Sequence, residues 1–280
     1  MIQKVFYFPQ IFPIFQEAHD FFVNTKKQTA TQHLFTNKQL RTLLVPIMVE
    51  QLLSSLMGTA DTMMVSNVGS AAISAVSLVD AINILVIQAL SALAAGGAIL
   101  CSQYLGSQNL KKAKCSAEQV LFVMLVLSCS LSLLCLIFRF PLLRLIFGTV
   151  DTDVMANSQI YFFFTLLSFP FIGLYDAGAS ILRAQNNTKG PMTISILSNF
   201  LNIGGNAILI FVFGMGVAGA AISTLISRIF CAIVVIWQLR NPAEQIYVRN
   251  YFSIRPDWSL IKRVLFIGIP SGIENSMFQF

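Results

Sequence analysis

Residues 201–227 read LNIGGNAILIFVFGMGVAGAAISTLIS, two apolar runs joined at a glycine-rich turn. The runs continue outward to about Pro191 and Leu239, giving segments 191–213 and 217–239. Each reaches the ~20 residues that a helix needs to cross a bilayer. A turn this short makes the two helices antiparallel neighbours. Yet the first run carries Asn199, Asn202 and Asn206, at i, i+3 and i+7, so one helical face holds a stripe of amides. Unpaired amides in hydrocarbon cost free energy, so the stripe predicts partners on a neighbouring helix.

The rest of the chain has the same character. Of 280 residues, 56% are hydrophobic and 11% charged, against roughly 25% charged in soluble domains. A formal charge of +6 would suggest nucleic acid in a soluble protein, but its distribution here points elsewhere. Spans are predicted near 42–66, 75–103, 117–138, 157–182, 191–213, 217–239 and 261–280. Fifteen of the 18 Lys and Arg fall on one side of them, leaving Arg139 and Arg144 opposite and Arg228 inside a span. That side is the cytoplasmic one, so the N-terminus is cytoplasmic and no nucleic acid is expected. Residues 1–40, with FYFPQIFPIF at 6–15, form a cytoplasmic or interfacial lead-in without the apolar core of a signal peptide.

Several chemistries are excluded. Five cysteines with no CxxC pair give neither a disulfide framework nor a zinc site and read as buried thiols. The two histidines, His19 and His33, lie in the polar lead-in. No nucleophile–base set, phosphate loop or dinucleotide fingerprint appears, so the chain is not expected to be an enzyme and carries no catalytic residues.

The chain also repeats itself. PIMVEQLLSSL from Pro46 and PSGIENSMFQF from Pro270 both place Glu four residues after Pro, followed by an amide: Glu50–Gln51 and Glu274–Asn275. Such repeats mark transporters built from two similar halves. The chain then divides into the lead-in 1–40, a six-helix unit 41–240, a cytoplasmic linker 241–260, and the first helix, 261–280, of a second unit. The counterpart of Asp61 falls beyond Phe280.

Ionisable residues inside spans are functional candidates by default. Glu50, Asp61, Asp176, Arg228 and Glu274 qualify. Asp176 has a local reading, pairing with Arg183 seven residues on; Arg228 has one with a bundle carboxylate; Glu50 has one in capping or pairing near the cytoplasmic end. Asp80, near its predicted span end, is expected to be solvated. Asp61 has no such escape. It shares a stripe with Glu50, Ser54 and Gly58, and lies eight residues before the outer exit at Gly69. That is ~12 Å into a ~30 Å core, where an isolated carboxylate needs a proton or a cation. Asn206 lies nine residues before Met215 at the turn and Thr224 nine after it, so both sit at the depth of Asp61, with Asn202 one turn further in. One carboxylate among amide and hydroxyl oxygens suits Na⁺, or a proton held on Asp61. The alternative reading is interhelical hydrogen bonding alone.

DTMMVSNVG (61–69), SQYLGSQNLKKAK (102–114), ILRAQNNTKGPM (181–192), residues 201–227 and IGIPSGIENSMFQF (267–280) resemble multidrug and toxic compound extrusion (MATE) transporters, over roughly residues 38–280. The resemblance implies an all-α polytopic antiporter of two six-helix lobes. It would export cationic or amphipathic compounds in exchange for Na⁺ or H⁺ and need no other cofactor. It implies a cation or proton site at Asp61 (D-T-x-x-V), with Asn202 and Asn206 (N-x-x-x-D/N) and Thr224, and a cavity-lining role for Tyr161. Asn199 reads as cavity lining or helix-packing glue. Asn206 stands where several branches have Asp, which leaves the ion open.

The expected context is the cell (inner) membrane, with lipid and small amphipathic cations as partners. The length implies a truncated copy lacking its C-terminal lobe, or self-association of two copies. Truncation is preferred, because a lone lobe exposes a surface made to meet its partner. Two other readings are a lipid or polysaccharide flippase of the same superfamily and a non-transporting membrane remnant. The flippase would want a basic cavity, and Arg228 is the one mid-span base.

Overall fold

A computed structural model describes residues 37–148, 150–248 and 256–277. Residues 1–36 of the lead-in, with FYFPQIFPIF and both histidines, and the side chains of Glu274 and Asn275 lie outside the described residues, and the lead-in's last four residues, 37–40, already belong to the first helix. The chain divides at Thr42. Of the first unit only the opening turns of a helix, from Asn37, are described, and the helical bundle belongs to the second unit, from Leu43 onward.

The described residues form helices and no strand. They are α1 (Asn37–Ser66), α2 (Ser70–Gly106), α3 (Leu110–Ile137), a short α4 (Arg139–Phe147), α5 (Thr152–Ala184), α6 (Lys189–Asn206), α7 (Gly216–Leu239) and α8 (Trp258–Met277). A π-helical segment, Ala207–Val212, continues α6 to the glycine turn. Six helices, α1–α3 and α5–α7, are long and apolar enough to cross a membrane. The seventh expected span is α8, a helix of 20 residues that carries Lys262, Arg263 and Glu274 and so stands apart from the six. The helix α4 was not expected from periodicity, since nine residues after Phe138 are too few to show a moment.

Local chemistry sets the ends. Asn109 caps α3 by accepting from the Lys112 amide at 3.2 Å. The α6–α7 turn is made by Gly214 and Gly216, both left-handed at φ 63° and 55°, a conformation that costs a side chain ~1–2 kcal/mol. This confirms the tight hairpin read from residues 201–227.

α2 and α5 lie against one another at the centre, with α3 on both, α8 on α2, and α7 on α5. Two core clusters stack along the bundle. One, at the basic end, includes Leu100, Val120, Ile181, Val235 and Leu239; the other includes Val76, Leu143, Phe162, Phe169 and Ala220. Apolar side chains also face outward, Phe200, Trp237 and Phe266 being three-quarters exposed, as they are where lipid is the solvent. α2 and α8 meet through glycine: a Cβ on Gly96 would stand 2.7 Å from Gly268 Cα. Small residues let membrane helices approach this closely.

The connection after α7 is docked rather than free. Ile246 and Val248 are fully buried in the basic-end core. Gln185 accepts from the Ile246 amide at 2.9 Å, and Asn187 Nδ2 donates to Glu244 Oε1 at 2.6 Å. α1 is the opposite case, the least buried of the six. Among its described side chains only Pro46, Asp61 and Val65 are buried.

Candidate functional site

The loose seating of α1 leaves a cavity of about 890 Å³ between it and α2, α5, α6 and α7. Its wall includes Asp61, Asp80, Asn83, Tyr161, Asp176, Asn199, Thr224 and Arg228, beside Ile84, Ile87 and Ile172. A cavity of this size, part apolar and part charged, fits a small-molecule site.

At one edge the structure brings together four residues singled out in the sequence. Asn206 Nδ2 donates to Asp61 Oδ1, and Thr224 Oγ1 lies 3.4 Å from Asp61 Oδ2. Behind them Asn202 Nδ2 donates to Thr224 Oγ1 at 3.2 Å, and Asn206 Nδ2 is 3.5 Å from Asn202 Oδ1. Asn202 and Asn206 are fully enclosed, and Asp61 is 5% exposed. The hairpin positions this set: Asn202 reaches across to Thr224 on α7, where Ser223 Oγ also donates to the Asn202 carbonyl at 2.8 Å, and Asn206, at i+4 from it, reaches Asp61 on α1. One atom is left over, since Asn206 Oδ1 is buried and accepts no hydrogen bond. The π-helical segment begins at the next residue; such widened turns recur at functional sites. Asn199 and Tyr161 both line the cavity. Asn199 donates to the Ser195 carbonyl at 2.9 Å, and Tyr161 OH to Asp80 Oδ1 at 3.3 Å.

Asp80 is the residue that the sequence reading misplaced. It is not solvated at a span end but faces the cavity, accepting from Tyr161 and, at 3.2 Å, from Asn83 Nδ2. The reason is the helix start. α2 begins at Ser70, not near 75, so Asp80 lies ten residues in, ~15 Å deep. The available signal was the stripe Ser77, Asp80, Asn83, Ile84, Ile87 at helical spacing. Arg228 faces Asp80 and Asp61, and its NH1 donates to Ser168 Oγ at 2.6 Å.

A second polar clasp holds the other half of α1. Arg183 NH2 lies 2.8 Å from Glu50 Oε1, and Tyr175 OH donates to the same oxygen at 2.9 Å. Glu50 thus ties α1 to α5. The local reading of Asp176 pairs it with Arg183 on its own helix; the structure gives Arg183 to Glu50 instead. Asp176 Oδ2 and Arg183 Nε are both buried without a hydrogen-bond partner.

The MatE family model matches residues 46–208, more than half of the chain. The chain belongs to the MatE family. It is 29% identical over 254 residues to the "Probable multidrug resistance protein NorM" of Thermotoga maritima, covering 86% of this chain and 52% of that one. Over 236 residues it is 32% identical to the "Uncharacterized transporter YisQ" of Bacillus subtilis, covering 82% and 51%. This MatE chain therefore spans about half the length of the curated relatives it matches. Among solved structures it shares the fold of a MATE in the bent conformation, with a TM-score of 0.77 at 23% identity, covering 85% of this chain and 53% of that one. An outward-facing multidrug resistance MATE of the MOP superfamily matches equally, with a TM-score of 0.77 at 24% identity, covering 84% and 52%. It is a multi-pass membrane protein whose relatives are named as transporters, not enzymes.

Proposed function

We propose that this MatE chain is the N-terminal, cation-binding part of an antiporter that exports cationic or amphipathic compounds across the cell (inner) membrane. The observation that carries this reading is Asp61, enclosed within the bundle at the cavity edge and facing Asn206 and Thr224, with Asn206 Oδ1 unpartnered beside it. Asp61, Asn202, Asn206 and Thr224 supply carboxylate, amide and hydroxyl oxygens, the hard donors that suit Na⁺. The same carboxylate can hold a proton instead. Occupancy competes with the Asn206 and Thr224 bonds that hold α1, so loading the site shifts α1 and reshapes the cavity. The N-terminus is read as cytoplasmic from the Lys and Arg distribution, 241–260 as the linker and α8 as the first helix of a second unit. The cavity carries Asp61, Asp80 and Asp176 against Arg228, an acidic balance that favours cationic cargo over the pyrophosphate headgroups of a flippase.

The test uses the purified chain in detergent. Na⁺, compared with choline at equal ionic strength, or a drop in pH is expected to shift the Tm of wild type. Binding at 100 times Kd stabilises by ~2.7 kcal/mol. Asp61→Asn is expected to abolish the response while the helical spectrum persists, and, placed in a full-length two-lobe version, to abolish ethidium extrusion from cells expressing it. A variant that answers Na⁺ and pH as wild type does would end the assignment.

A further inference from the structure

Four carboxylates lie on or beside the cavity, and three of them are engaged. Asp61 faces Asn206 and Thr224, Asp80 faces Tyr161 and Asn83, and Glu50 faces Arg183 and Tyr175. Asp176 is the exception. It is on the cavity wall, yet its Oδ2 is buried and accepts nothing. The charged groups around it are Arg183, Glu50 and Arg228. Arg183 is held in the Glu50 pair, and Arg228 has its hydrogen bond to Ser168. A carboxylate with one oxygen buried without a donor and the rest of its side chain open to the cavity is costly to keep, and such orphaned groups ask for a missing partner.

The surroundings describe that partner. Ile172 and Tyr175 precede Asp176 by four and one residues on the same lining face of α5, and Ile87 and Met57 are on the facing helices. A flat apolar body with one positive charge fits such a wall: the body covers Ile and Met, and aromatic rings attract the cation. We infer that Asp176 is the counter-ion for the positive charge of an organic cation held in this cavity, distinct from the inorganic ion or proton at Asp61. The assignment rests on the reading of the chain as a carrier of cationic compounds, and it names the residue that would set that preference.

The experiment is an ethidium fluorescence titration of the purified chain in nanodiscs without Na⁺, beside the neutral parent phenanthridine. Wild type is expected to prefer the cation. Asp176→Asn is expected to weaken ethidium by about tenfold or more and leave phenanthridine unchanged, while Asp176→Glu keeps the preference. Three results would overturn the inference: equal ethidium affinity in Asp176→Asn, equal loss for both compounds, or a wild type with no preference for charge. If the Asn variant does not fold, Asp176→Glu decides, and a loss of charge preference there sinks the idea. Because the titration excludes Na⁺, a failed Asp61 response removes the coupling reading alone; equal ethidium affinity in Asp176→Asn, or equal loss for both compounds, removes this one alone, and a wild type blind to charge removes the cationic cargo with it.

Discussion

At the scale of single residues, the site depends on hydrogen bonds among buried side chains, Asp61, Asn202, Asn206 and Thr224. Thr224 Oγ1 receives from Asn202, and its one proton lies between the Ala220 carbonyl at 2.9 Å and Asp61 at 3.4 Å. Thr224→Val keeps the shape and removes all three contacts, leaving the Asn202 donor buried and unmet, at a cost of ~1–3 kcal/mol. Thermal unfolding in detergent should show that drop, with Thr224→Ser close to wild type; equal values for the two variants would mean that the hydroxyl is idle. Asp61, Asn206 and Thr224 were legible in the sequence because helical rise is fixed and a short turn fixes the pairing of heights. Asp80 was not, because its depth depends on where α2 starts, and Ser70, Ser74 and Ser77 blur that start in an apolar count. The partner of Arg183 was illegible for a different reason. Spacing along α5 offers Asp176, but the choice of Glu50 depends on how α1 and α5 are rotated against each other, which one helix's pattern does not carry.

At the scale of elements, α1 and α8 are attached by opposite means. α1 meets the bundle through side-chain clasps at Glu50 and Asp61, so its position answers to charge. α8 crosses α2 backbone to backbone, and its position answers to volume. Gly96→Ala puts a methyl group within 2.7 Å of Gly268 Cα, and relieving that overlap costs ~1–3 kcal/mol by displacing one helix. A cross-link reports the displacement, because Arg263 NH1 on α8 donates to Tyr104 OH on α2 at 3.1 Å. Tyr104→Cys with Arg263→Cys should be joined readily by a short bis-maleimide, and poorly once Gly96→Ala is added. Unchanged cross-linking would show the crossing to be soft. The existence of both helices was readable from apolar runs, whereas α4 and the π-helical Ala207–Val212 were not, since neither leaves a periodic trace.

At the scale of the whole molecule, the basic residues make a directional claim. Lys111, Lys112, Arg183, Lys189 and Arg240 all sit at the end of the bundle where α2, α5 and α7 stop. A cysteine at 111 should therefore react with a membrane-impermeant maleimide only after the cells are permeabilised, and one at 215 in intact cells. The reverse pattern would invert the topology. The repeat gives α8 to a second unit, yet Leu260, Ile261 and Val264 are buried here, and the chain before α8 is docked through Ile246 and Val248. The start of α8 is thus anchored, while its middle meets α2 where Gly96 and Gly268 face each other. Side chains that interdigitate resist rotation; two bare backbones in contact have no teeth to disengage. In the antiporter proposed above, whose two halves would rock against each other, that crossing is where α8 would roll with least resistance, which would make a pair of glycines the fulcrum of the lever.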